Sequence, residues 1–314
     1  LYEPWLGAGT GPLALEEEVR NRLRPVDTSS PRSTLEGFLE SVNRAYVLVK
    51  ETEAALRATP PTMTMEKARE IEVTASNLLR RAVRTLDLNE VAEALRDDVG
   101  VESVLQLKEI FDRIQLPPVD TVPDPAMVAA ARQQNSGAIR WRYPNTEVEI
   151  VEVTEGERQG EFLFSAATVR RVGDFYQQIE SLPYREGVRS TQWISPDKSK
   201  GFFNHFISSP GYLIPQAHPF GKAMDALPPW LKTLHGQQTR WQWIGLVASV
   251  LALAALAYLV CWVIKRTGQR SGAPFSGWLM FLAPVIIALL ASVIADFIDN
   301  DLNISGDLLS LIHI

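Results

Sequence analysis

The sequence predicts a mainly α-helical chain: an exported α+β domain of antiparallel helices and a short antiparallel β-sheet, followed by a two-helix transmembrane hairpin. Three observations predict it. Ile244–Ile264 is an uncharged run of 21 residues, long enough as a helix to cross a hydrocarbon core of about 30 Å at ~1.5 Å per residue. A second uncharged run, Trp278–Ala295, follows after a short loop. Before both, residues 30–182 pass from apolar spacing of three and four to strict alternation, the marks of helices and then of strands.

Residues 1–29 are expected to form a flexible leader. Gly7, Gly9 and Gly11 have the spacing of a nucleotide loop but no preceding strand and no Lys-Ser/Thr. The chain opens on Leu1 rather than Met, so an earlier export signal is expected to be lost or removed.

Residues 30–116 are expected to be a helical exported subdomain. Ser30 can cap a helix with Pro31 in its first turn, and Leu35, Phe38, Leu39, Val42, Tyr46 and Val49 share one face. Pro60-Pro61 ends it. A second helix runs from Met65 to Leu86 with Ile71, Ala75, Leu78, Leu79, Ala82, Val83 and Leu86 as its stripe. Arg80, Arg81 and Arg84 at its end suit the helix dipole and a solvated face. Asn89–Arg96 and Gly100–Ile114 continue the helical pattern, and Pro117-Pro118 and Pro123–Pro125 stop it.

Residues 117–182 are expected to be a small α+β exported subdomain. Ile139, Trp141 and Tyr143 alternate with Arg140 and Arg142; Glu147–Thr154 is β-branched, Glu155–Gly160 a polar turn, and Glu161–Phe164 a third strand. A helix over Ala166–Leu182, using Val169, Val172, Tyr176 and Ile179, should cover this sheet. Residues 183–240 hold no sustained period and read as an irregular connection to the membrane.

The first transmembrane helix is expected at 241–264, the cytoplasmic loop at 265–277, the second helix at 278–295 and an external segment at 296–314. Trp230, Arg240, Trp241 and Trp243 at one end of the first run, and Trp262, Lys265, Arg266, Arg270 and Trp278 around the loop, are the expected membrane-interface anchors. Lys265, Arg266 and Arg270 have no acid among them, whereas Asp296, Asp299 and Asp301 have no base, so the loop stays in the cytoplasm and both flanks lie outside. Pro284 inside the second run is tolerated where neighbouring helices satisfy the freed carbonyl. The expected location is a bacterial inner membrane, multi-pass, with residues 1–240 periplasmic. The final residues Leu309–Ile314 resemble translated adapter sequence, and the natural chain is expected to continue beyond Gly306.

Composition narrows the classes further. Of 37 acids and 31 bases, four and three fall in the last 74 residues, leaving 33 and 28 in residues 1–240. So mildly acidic and mixed a domain offers no footprint for nucleic acid. The single cysteine, Cys261, is expected to pack inside the first span and allows no disulfide framework. His205, His218, His235 and His313 have no metal-ligand spacing, and there is no serine elbow. Asp296, Asp299 and Asp301 lack the glycine turn and terminal Glu of a calcium loop. No enzyme, metal or cofactor is expected.

The chain resembles the longer members of the small-conductance mechanosensitive (MscS-like) channel family. The stretches SPRSTLEGFL at 30–39 and GEFLFSAATV at 160–169 carry the resemblance, with Ser209-Pro210-Gly211, Leu227–Leu231 and Trp241-Gln242-Trp243. The resemblance implies an exported domain ahead of lipid-facing peripheral helices, a later Gly/Ala-rich pore helix, a cytoplasmic β-domain and a homo-heptameric assembly in the bilayer. It ends before any pore helix, so no pore-lining residue is assigned. The expected function is the N-terminal part of a membrane-tension-gated channel subunit that releases ions and small osmolytes on osmotic downshock. The alternative class is a membrane-anchored periplasmic sensor or scaffold.

Overall fold

The computed structural model describes residues 25–134, 137–185, 201–235, 238–271, 275–298 and 302. The readings of Gly7, Gly9 and Gly11, of Asp299 and Asp301 and of the last residues lie outside them. The fold is mainly helical with a small three-stranded antiparallel sheet and one long apolar helix. It divides into two units, residues 1–203 and 204–314.

In the first unit, α1 (Pro31–Arg57) starts as its sequence dictates: the Ser30 hydroxyl accepts from the Ser33 amide, and Pro31 occupies the first turn. Thr64 caps α2 (Met65–Val83) in the same way. Arg81, at the end of α2, reaches Glu40, near the start of α1, at 3.9 Å, so the two run antiparallel. The expected second stripe is buried from Ile71 to Ala82.

The helix expected from Asn89 is a turn followed by a 3-10 turn at Glu93–Leu95, and the regular helix α3 runs Arg96–Phe111. Asp97 and Asp98 thus sit in its first turn, where the helix dipole favours carboxylates. Proline does not empty the next stretch of structure. Asp124 accepts from the Met127 amide at 2.8 Å and Pro125 opens a short helix, α4 (Pro125–Gln134). An Asx cap before a first-turn proline starts a helix as readily as it ends one.

The sheet is shorter than expected and in the expected order: β1 (Arg140–Arg142), β2 (Glu149–Glu152) and β3 (Phe162–Phe164) pair antiparallel, Trp141 opposite Ile150 and Ile150 opposite Phe164. Asn145 supplies the left-handed residue of the first turn, φ 58°, and Gly156 and Gly160 those of the second, both at φ 87°. β3 is all apolar because both its faces are covered. Its outer edge is sealed as well. Phe162 donates to the Thr28 carbonyl, Phe164 donates to Thr85, and the Asp87 amide donates to Phe164. Residues 25–29, expected as leader, are therefore structural: Val26 is buried, and its methyl sits where a β-carbon on Gly37 would come within 2.4 Å.

Ser165 ends β3 and caps α5 (Ala166–Ile179), three residues shorter than expected. The two expected subdomains share one core. Phe38 of α1 meets Phe111 of α3 at 5.7 Å and Phe164 of β3 at 5.3 Å, and Phe111 stacks on Tyr143 at 5.4 Å.

The stretch expected as irregular, 183–240, contains α6 (Phe202–Ser208), α7 (Pro219–Asp225) and a two-stranded ladder of β4 (Leu234–His235) with β5 (Gln238–Thr239). These leave too short an apolar period to be recognised. α8 (Arg240–Ser271) and α9 (Phe275–Asp296) complete the second unit and lie side by side. Both exceed their expected bounds, so Lys265, Arg266 and Arg270 lie on a helix and not in a loop. Long straight-chain cations are good helix formers, and charge alone does not end a helix.

Phe38→Ala should lower stability by about 3–5 kcal/mol, the range for emptying an aromatic site in a close-packed core. Denaturant unfolding of the chain in detergent, followed by near-ultraviolet circular dichroism, checks it. A loss below ~1 kcal/mol would show that Phe38 is not the hub of this core.

Candidate membrane interface

From Arg240 to Arg266, 27 residues, α8 is long and apolar enough to cross a membrane, and only 6% of its apolar window is covered by protein. A soluble helix turns one such face inward; here Val247, Val250, Leu251, Tyr258, Leu259, Trp262 and Val263 are all exposed. In α9 the described side chains form a shorter apolar helix, Ala283–Asp296, with Val285, Ile286, Leu289 and Val293 exposed and Pro284 within it.

The expected anchors separate into distinct environments. Trp230 is exposed on a 3-10 turn at Pro229–Leu231. Arg240 is exposed, and its amide donates to the Thr233 carbonyl, which docks the ladder against the start of α8. The Trp243 indole donates to the His235 carbonyl at 3.0 Å, leaving its ring as an amphipathic tip. At the far end the Arg266 guanidinium lies 4.9 Å from the Trp262 ring centroid, and Lys265 is exposed beside it. That cation–π pair keeps charge and ring at one level of the helix. Arg270 and Trp278 lie on α8 and α9, and their side chains are outside the described residues.

Trp241 differs. It was expected at a water–lipid boundary, but it is 7% exposed and packs inside the second unit. Its neighbour Gln242 is fully buried as well, hydrogen-bonded to Thr239, Ile207 and Leu302. Cys261, expected to pack, is exposed on α8.

A charged cluster not expected from the sequence is buried in the first unit. Lys108 is 2% exposed and pairs with Asp112; Glu109, 1% exposed, accepts from Arg113 at 2.5 Å. Tyr184 donates to the same Glu109 oxygen at 2.6 Å, and its own hydroxyl accepts from the Gly201 amide at 3.0 Å. The Arg113 guanidinium stacks 4.0 Å from the Tyr184 ring centroid and donates to the Leu182 carbonyl. Burial followed by the Glu109 hydrogen bond pushes the Tyr184 phenol up to about 12. Burial and the Glu109 charge bring Tyr176 to about 12 as well. For Arg113, burial works to lower the pKa, but the hydrogen bond and charge of Glu109 outweigh it and the net direction is up. The only signal in the sequence was the pair of i,i+4 spacings, Lys108–Asp112 and Glu109–Arg113, which on most helices marks a solvated face.

Among the described residues there is no group of three or more His, Cys, Asp or Glu able to hold a metal ion. His205 bonds the Leu213 carbonyl, and His218 stacks on Tyr212 at 3.9 Å. Of the arginine trio at the end of α2, Arg80 and Arg84 are exposed, as a solvated face requires, and Arg81 pairs with Glu40. No family model, no curated protein and no solved structure matches the chain.

The tyrosines set an alkaline limit. Their folded pKa lies above the ~10 of an unfolded tyrosine, so the folded state keeps the phenol protons longer. That stability is complete below ~10 and drains away as pH rises towards 12. Tyr184→Phe should make the fall between these values shallower in urea unfolding midpoints measured across alkaline pH. Glu109→Gln leaves Arg113 buried without its charge partner and should cost about 3–5 kcal/mol at neutral pH.

Proposed function

We propose that this chain is the N-terminal part of a membrane-tension-gated ion channel subunit, anchored in a bacterial inner membrane by α8 and α9 as a helical hairpin. The observation that carries the membrane reading is α8, whose stretch Arg240–Arg266 of 27 residues is long and apolar enough to cross a membrane, with only 6% of its most apolar window covered by protein. An uncovered apolar cylinder of that length is unfavourable in water by roughly 25 cal/mol per Å² and comfortable in hydrocarbon. Trp243 and Arg240 at one end and Trp262 with Arg266 at the other supply amphipathic groups for the two interfaces.

The channel reading draws on the resemblance carried by residues 30–39, 160–169, 209–211, 227–231 and 241–243. Under it, α8 and α9 are peripheral helices of a homo-oligomer, seven subunits in the family pattern, and residues 1–240 are periplasmic. Tension shifts such an assembly towards the state of larger in-plane area, by an amount set by the difference between the two states. Ions and small osmolytes then leave the cell when turgor rises. The first unit, with its closed aromatic core and internally paired charges, serves as an outer scaffold.

Two measurements test this. A reporter active only in the periplasm should work when fused after Trp230 and fail after Arg270; the reverse pattern overturns the orientation. Patch recording on the reconstituted full-length protein should give a tension-dependent current, and silence at lytic tension would remove the channel reading while leaving the anchor.

A further inference from the structure

Within the second unit one amide joins three separate pieces of chain. Gln242, in the first turn of α8, is 0% exposed. Its Oε1 accepts from the Thr239 amide at 2.7 Å and the Thr239 hydroxyl at 2.5 Å. Its Nε2 donates to the Ile207 carbonyl of α6 at 2.9 Å and to the Leu302 carbonyl, beyond α9, at 2.8 Å. Both lone pairs and both N–H groups are thus used, the full capacity of a glutamine side chain. The partners lie 35 and 60 residues away along the chain.

Packing reinforces the same joint. A β-carbon on Gly245 would stand 2.7 Å from Leu302 Cδ2, so α8 and Leu302, beyond α9, pack closely at this glycine. The Leu302 side chain is buried there. Ser249 spends its hydroxyl on the Gly245 carbonyl and stays buried. On the α9 side, Phe297 meets Phe220 of α7 edge-on at 6.3 Å.

We infer that Gln242 is the pin of a rigid outer joint that binds the start of α8, Leu302 beyond α9 and the end of α6 into one body. The outer ends of the two helices then cannot splay when the bilayer deforms. The inference rests on reading α8 and α9 as membrane spans. A buried, fully satisfied polar group at the edge of hydrocarbon is hard to break, because each bond lost leaves a polar atom without water to replace it. Leucine at 242 would fill similar space and strand four backbone or hydroxyl groups at once.

The test uses the whole chain in phosphatidylethanolamine/phosphatidylglycerol vesicles, with Cys261→Ser removing the exposed native thiol. Spin labels at the exposed positions Val250 and Val293 report the outer half by pulsed dipolar spectroscopy, and labels at Val263 and Val285 report the inner half. The outer pair should give a narrow distance distribution that does not shift when lysophosphatidylcholine is added to one leaflet. Gln242→Leu should broaden that distribution and make it respond to lysolipid, while the inner pair stays as it was. Thr239→Val, which removes one of the four bonds, should broaden it less. A broad outer distribution in the native residue background, or no change in Gln242→Leu, overturns the pin. Broadening of both pairs in Gln242→Leu also counts against it, since the amide would then be holding the whole hairpin. Failure of the chain to float with the vesicles would overturn the membrane reading itself, and the joint's role with it.

Discussion

Burial of α3 on every side is the constraint from which the first unit follows. From Glu102 to Arg113 every residue is buried, the charged ones included. Burial of a single unpaired ion costs several kcal/mol, so Glu102 accepts from the Gln106 amide and the other four charges pair with opposites. Spacing of i,i+4 supplies that, joining Lys108 to Asp112 and Glu109 to Arg113 along one helix face. Phe111, on the same helix, reaches Phe38, Phe164 and Tyr143. One helix therefore serves an apolar core and a polar one. The sheet, α1 and the Tyr184 segment are placed by what they bring to each.

Most of what was legible came from periodicity and capping. Ser30-Pro31 announced the start of α1, apolar spacing from Val169 to Ile179 announced α5, and the alternation around Trp141 with the β-branched run after it announced the antiparallel strands. Those signals are local, and local backbone preference decided those elements. α4 is hidden in the sequence because proline reads as a helix stop, whereas Asp124-Pro125 is a start. The charged interior of α3 was hidden for a different reason. A sequence shows that Glu109 and Arg113 can meet, but only the fold shows that Tyr184, 75 residues on, excludes water from them.

The same limit applies to the candidate interface. Runs without charge located α8, and the cationic residues beyond Trp262 marked its far end. Burial of Trp241 could not be read, because aromatic rings flank membranes and fill cores alike. The difference lay in Gln242, whose partners are 35 and 60 residues distant. A polar residue near the start of an apolar helix looks like an ordinary boundary residue until its bonds are counted.

The two buried polar sites solve one problem in opposite electrostatic ways. Charges in the first unit attract strongly but carry a large desolvation penalty, so their geometry responds steeply to the loss of either partner. Gln242 is neutral. Its bonds are individually modest, about 1 kcal/mol each, but it suffers no ionic penalty and does not titrate. Where one end of a helix must stay fixed beside hydrocarbon, a neutral amide with all four bonds filled holds position without introducing a charge that lipid would expel. A glutamate at 242 would accept from Thr239 as the glutamine does but could donate to neither Ile207 nor Leu302 unless protonated. The joint thus depends on the amide nitrogen, which makes glutamine the specific requirement at this position.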